Sequence, residues 1–304
     1  MTCYFSEKHR APHLGPYPME RLKRATNAAG VVPQMRPNNF DRPDSPVSIV
    51  NAMREYQAMM DAMRSGLINK GKSEIPDDNE ERSAHLKSFA YFQDASVVGI
   101  TKLDQRCRLE TPIVNPDINR LANDLRTKQT KTFAAGMDVL MAELREAVDA
   151  PAMGIDDHTH AIVFLYEYPR DPAANEVGCD WIQNAQAERA TILGTETANV
   201  ISNYLRLLGY DARSHSATCS DADLNRLAVL AGLASVEDGE LFNPYIGTRF
   251  GLAAVTTTME LAADQPLAQW ADQPKSHTHG LAWKLGKGFT KSAANREPYG
   301  KRRF

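Results

Sequence analysis

Cysteine is scarce in this chain. Cys3, Cys107, Cys179 and Cys219 lie far apart, and no two form a C-x-x-C pair. A disulfide framework is therefore not expected to hold a fold of this size, and paired-thiolate zinc motifs are missing. No stretch approaches the roughly 20 apolar residues that a membrane helix needs. The opening "MTCYFSEKHRAPHLG" has neither an apolar leader core nor a twin-arginine pair, so a cytoplasmic protein without a membrane partner is expected. Net charge is small, -3 over 304 residues, which argues against a generic nucleic-acid binder. That average hides an asymmetry, because residues 275–304 hold eight Lys or Arg against the single acid Glu297.

What is present is ordinary globular material, 42% hydrophobic and 24% charged, enough for one large or two modest domains. Residues 1–46 are rich in proline and lack periodicity, as in an extended arm. Residues 47–270 alternate helical and strand patterns, and 271–304 read as a basic tail or linker. In "VSIVNAMREYQAMMDAMRSG" the residues Ile49, Met53, Tyr56, Met60 and Met63 recur at helical spacing, predicting a core-facing stripe. A helix over 80–93 precedes a strand over 96–103, and residues 117–149 predict one broken helix or two. "HAIVFLYEYP" (160–169) reads as a central strand covered on both faces. A long helix over 181–208 with Gly209 at its end follows. Then come a short strand at "YDARSH", a helix over 222–231 capped by Asp221, and the strand "GLAAVTTTMEL". This order predicts a layered α+β domain, with helices on both faces of a mixed sheet.

The residues at the joints carry a resemblance. "YLRLLGYDA" (Asn203 to Ala212 with its flanks), "LAVLAGL" (Leu227 to Leu233), the turn from Pro244 to Arg249 and the strand Leu252 to Leu261 follow one another in order. This set resembles the cobalamin-binding module of reductive dehalogenases and the related epoxyqueuosine reductases, over about two thirds of the chain. The resemblance implies a nitroreductase-like cobalamin-module scaffold and, in a complete member, a domain with two [4Fe–4S] clusters bound through C-x2-C-x2-C-x3-C-P runs. No such run occurs here, so no iron–sulfur cluster is expected in this chain. In place of a glycine-rich loop stands "GLASVEDGELF", which keeps Gly232 and adds Glu237, Asp238 and Glu240. The second arginine of the family's "R-V-R-L-G" is lost, whereas Arg249 remains.

The resemblance makes Arg249 the principal site residue, a guanidinium able to clamp a phosphate, carboxylate or phenolate. The competing reading pairs Arg249 with the three loop acids. Tyr245 could donate a proton to a carbanion or simply anchor the turn. Gly232, His215 and Gly247 are the candidate cofactor contacts. His158 and His160, with a second His-Thr-His at 277–279, could instead supply metal ligands, although no carboxylate motif accompanies them. Cys179 and Cys219 lack a neighbour that would lower a thiol pKa and are expected to be inert. The expected function is an auxiliary or vestigial cobalamin-fold half that packs against a catalytic dehalogenase domain, a partner subunit or a second copy. The alternative is a corrinoid-dependent component that receives electrons from a separate redox protein.

Overall fold

The computed structural model describes residues 10–28, 30–36, 40, 43–127, 154–168 and 172–273. In chain order the helices and strands are α1 (Ile49–Ala62), α2 (Asn79–Phe92), β1 (Val97–Lys102), β2 (Arg108–Ile113), α3 (Pro116–Thr127), β3 (His160–Glu167), α4 (Cys179–Ile182), α5 (Ala185–Leu207), β4 (Ala212–His215), β5 (Ser220–Ala222), α6 (Leu224–Leu230), β6 (Ser235–Glu237), β7 (Glu240–Phe242) and β8 (Phe250–Thr257).

The central sheet has the order β1-β3-β8-β4, and its two longest strands, β3 and β8, lie in the middle. Side chains alternate between the faces with the two-residue period of a strand. Ala161, Val163 and Leu165 face one way, against Leu224 and Leu227 of α6 and Met19 and Leu22 of the N-terminal segment. Ile162, Phe164 and Tyr166 face the other way, against α2 and α5. Helices thus cover both faces, and the continuous apolar run of β3 follows from that burial. α5 lies close on β8 because small residues meet there: a Cβ on Gly194 would come within 2.8 Å of the Ala253 Cβ, and one on Gly251 equally near that of Ala190.

The expectation of a mixed sheet is corrected. β1 with β3, β3 with β8, and β4 with β8 all pair antiparallel. The cause is topological. β3 and β4 run in the same direction and are joined through α5, like strands of a parallel crossover, but β8 enters between them in the opposite direction. The architecture is α+β with an antiparallel sheet.

Other boundaries also move. The long helix is interrupted at Asn184, whose φ of 63° separates α4 from α5. Asp223, not Asp221, caps α6, its side chain accepting from the backbone N–H groups of Asn225 (3.0 Å) and Arg226 (3.1 Å). The predicted inward stripe of α1 is rotated. Met60 is buried with Val50 and Ala58, while Ile49, Tyr56 and Met63 are exposed. Of the helical region foreseen at 117–149, α3 is described and the remainder lies outside the described residues. The "EDGE" stretch is the tip of the β6–β7 hairpin, with Asp238 (φ 52°) and Gly239 (φ 83°) both left-handed.

Candidate functional site

Asn243, fully buried, organises the turn ahead of β8. Its side-chain oxygen accepts from the N–H groups of Tyr245 (2.9 Å) and Ile246 (3.1 Å), and its amide donates to the Leu233 carbonyl (2.7 Å). Asn243 and Gly247 exchange backbone hydrogen bonds of 2.9 and 2.8 Å, which close the loop, and Gly247 (φ 84°) supplies the left-handed residue. The sequence reading passed over Asn243. An Asn-Pro pair before an apolar strand was the available signal.

The structure places four of the five expected residues around this turn and one elsewhere. Tyr245 stacks on Tyr17, with ring centroids 5.6 Å apart, and donates its hydroxyl to the Pro18 carbonyl at 3.1 Å. Burial pushes its pKa up to about 12. Tyr17 in turn donates to Glu167 at 2.8 Å, so the two rings tie the N-terminal segment to the end of β3. Arg249 sits over the Tyr168 ring, its guanidinium carbon 5.7 Å from the centroid. Glu237, one of the acids considered for Arg249, accepts from Ser235 Oγ (2.9 Å) and from the Trp270 N–H (2.7 Å).

Gly232 has φ 66° and faces protein. Arg24 reaches across from the N-terminal segment and donates to the carbonyls of Gly232 (3.0 Å), Gln265 (2.9 Å) and Met19 (3.2 Å). A Cβ at Gly232 would collide with Arg24 Nη1 and the Gln265 oxygen. The glycine is required here because one part of the chain passes closely over another.

His215 belongs to a separate polar network under the edge of the sheet. The Asp221 N–H donates to its Nδ1 (3.3 Å), which leaves the proton on Nε2 to be given to Thr256 Oγ1 at 2.8 Å. The Thr256 hydroxyl then serves His158 Nδ1 at 2.7 Å, and His158 Nε2 stands 3.4 Å from Asp211. Asp221 also bridges Arg64 (3.1 Å) and Arg213 (2.9 Å). Burial drives the His215 pKa down to about 3. A neutral buried histidine contributes stability that is present above the unfolded value near 6.5 and is lost as pH falls towards 3. The urea midpoint should therefore drop on acidification, with about 2 kcal/mol lost from this group between pH 7 and pH 5. His215→Gln should flatten that part of the profile; an unchanged slope would remove His215 as its cause.

His160 Nδ1 contacts Thr159 Oγ1 at 2.9 Å, so the two histidines of the first His-Thr-His serve different partners. Among the described residues no group of three metal-binding side chains converges, and the second His-Thr-His lies outside them. Burial raises the thiol pKa of Cys107 to about 12 and that of Cys219 to about 11, consistent with inert cysteines. No helix among the described residues is long and apolar enough to cross a membrane.

These features define a class: a sheet-centred α+β module with a glycine turn leading into its central strand. No family model and no curated protein matches the chain. Solved structures do. A catabolic reductive dehalogenase, NpRdhA, matches 93% of the chain at 32% identity with a TM-score of 0.68. The same enzyme is known in complex with 3-bromo-4-hydroxybenzoic acid. A second reductive dehalogenase structure, described as suggesting a mechanism for B12-dependent dehalogenation, matches 93% at 31% identity and a TM-score of 0.69. The chain spans about a third of these proteins, 34% and 33% of their lengths. It is thus related to the reductive dehalogenases through that third.

Cobalamin is the group this kinship implies, and the expected contacts do not fit it. The hollow at Gly232 is filled by Arg24, and both ring nitrogens of His215 are engaged within the protein. Gly247 alone of the three glycine and histidine candidates faces open space. One cleft beside Gln57 and Asn115 holds about 10 Å³, and another between Met35 and β2 about 340 Å³.

Proposed function

We propose that the chain is an auxiliary reductive-dehalogenase-like module, built on a nitroreductase-like cobalamin scaffold, that packs against a catalytic dehalogenase domain or partner subunit. The observation that carries this reading is the Arg24 guanidinium seated on Gly232 and Gln265, where the resemblance calls for a cofactor. A side chain anchored to three carbonyls is held by the fold. Arg249 and Tyr245 then act as turn and arm anchors, through Tyr168 and through Tyr17 with Pro18.

The test is anaerobic incubation with excess hydroxocobalamin, desalting and a visible spectrum. A colourless protein, with no turnover of a halogenated phenol when cobalamin and an artificial reductant are supplied, is the expected result. A retained corrinoid band near one per chain would overturn the proposal. It would favour a corrinoid-dependent component fed by a separate electron donor, and Arg249 would become the first ligand contact to substitute.

A further inference from the structure

Among the described residues nothing packs on the rotated face of α1. Its exposed apolar side chains are Ile49, Ala52, Tyr56 and Met59, continued by Met63 at the C-cap, spaced three, four, three and four residues apart, with the exposed Glu55 beside them paired to Arg120 at 3.2 Å. That is the spacing of a coiled-coil seam, which keeps one stripe of a helix towards a neighbouring helix. The four large members are each between 37% and 49% exposed, whereas the opposite side of α1 already packs on its own domain.

α1 runs alongside α5 in the same direction. Arg54 pairs with Glu188 at 3.0 Å, Gln57 donates to Thr195 at 2.9 Å, and Asn199 donates to the Met60 carbonyl at 2.9 Å. The outer face of α5 adds Val200, Tyr204 and Leu207 to the exposed apolar surface, with Arg189, Glu196 and Asn203 as its polar members. Beyond α1, Leu67 is 96% exposed, and its neighbour Asn69 donates to the Leu207 carbonyl at 3.2 Å.

We infer that this two-helix face is the contact surface for a second copy of the chain, with α1 packed on α1 of the partner across a two-fold axis. Three points favour a like partner. The α1 stripe itself is apolar, and the acid that flanks it, Glu55, is already paired with Arg120 at 3.2 Å, so the stripe demands no complement of opposite sign. A two-fold axis lets one stripe serve both sides of the contact. Side chains of these sizes and exposures leave on the order of 800 Å² uncovered, about what each partner contributes to a standard-size interface, whereas monomers rarely expose apolar patches beyond about 300–600 Å². The assembly is a four-helix layer, α1 and α5 from each copy, and the inference is independent of the functional reading above.

Light scattering on the eluting 304-residue chain tests it. The expected mass is twice 33.7 kDa, with a thermal midpoint that rises with protein concentration. Tyr56→Lys combined with Met59→Lys should weaken association at least about 100-fold, since each change acts twice across the axis. Both side chains are exposed in one copy, so the far-UV circular dichroism of the variant should stay that of the parent. Val31→Lys, at a more exposed apolar position on the N-terminal segment, should leave the dimer intact. A parent protein that stays monomeric at all concentrations overturns the inference, as does a dimer indifferent to the double lysine variant. The corrinoid spectrum does not depend on either result.

Discussion

Replacing Asp61 with alanine should lower the unfolding free energy by about 3–5 kcal/mol, read as a shift in urea midpoint at constant slope. Asp61 is buried near the end of α1 and is the common acceptor of four side chains. Oδ1 accepts from Gln57 Nε2 (2.8 Å) and Ser216 Oγ (2.7 Å), and Oδ2 from Thr218 Oγ1 (2.6 Å) and Asn115 Nδ2 (2.9 Å). Those donors come from α1, from the loop after β4 and from the residue preceding α3. The carboxyl therefore joins three parts of the chain, and alanine would strand buried donors at each. Burial holds its pKa above the ordinary value, against the four hydrogen bonds that pull it down. The sign follows from that direction. Below about pH 3.8 both native and unfolded states are protonated and the contribution is complete. As pH rises from there through the raised native value, the unfolded state ionises more readily and part of the contribution is lost. The cost of Asp61→Ala should consequently be larger at pH 4 than at pH 7, and Asp61→Asn should remove most of that pH dependence. An equal cost at both pH values would show that the native carboxyl titrates normally.

How much of this was legible beforehand differs from element to element. β3 was readable because a strand covered on both faces has no polar side to show, so its apolar run is continuous. α2 was readable because Asp78, Glu80 and Glu81 crowd its first turn, and Asp78 does accept from the Glu80 N–H at 2.9 Å. The sheet's sense was not readable. Adjacent strand and helix patterns show which segments connect, whereas the insertion of β8 between β3 and β4 is a long-range choice with no local trace. α1 misled for a different reason. It carries apolar residues on more than one face, and periodicity cannot say which face meets its own domain. At the candidate site the resemblance made Gly232 a cofactor contact, whereas in the structure its close neighbours belong to the chain itself. What approaches is Arg24, 208 positions away in sequence, a contact with no signature in either segment alone.

That contact sets the last large effect. Gly232→Ala should destabilise the chain by about 3 kcal/mol or more, visible as a fall in thermal midpoint of roughly 6–10 °C. Two costs add. An alanine held at φ 66° pays about 1–2 kcal/mol for the left-handed conformation alone. Its Cβ would also meet Arg24 Nη1 and the Gln265 carbonyl oxygen, and these obstacles differ in kind. The guanidinium is the end of a flexible side chain and can withdraw. The Gln265 oxygen is backbone, fixed where the segment after β8 crosses the N-terminal segment through the Arg24 and Leu267 bridge, the Ala25 N–H to Pro266 carbonyl bond (2.9 Å) and the Ala268 N–H to Lys23 carbonyl bond (3.0 Å). Shortening Arg24 should therefore not rescue the variant. Arg24→Ala alone should cost about 1–3 kcal/mol by leaving carbonyls without their donor, and the double variant should be no more stable than Gly232→Ala. Rescue by Arg24→Ala would mean that the side chain, not the crossing of the two segments, fixes the glycine. The double variant also bears on function. If it still folds, removing Arg24 clears the guanidinium from the hollow, and a corrinoid spectrum unchanged from the parent would place the barrier to cofactor binding in the chain crossing itself.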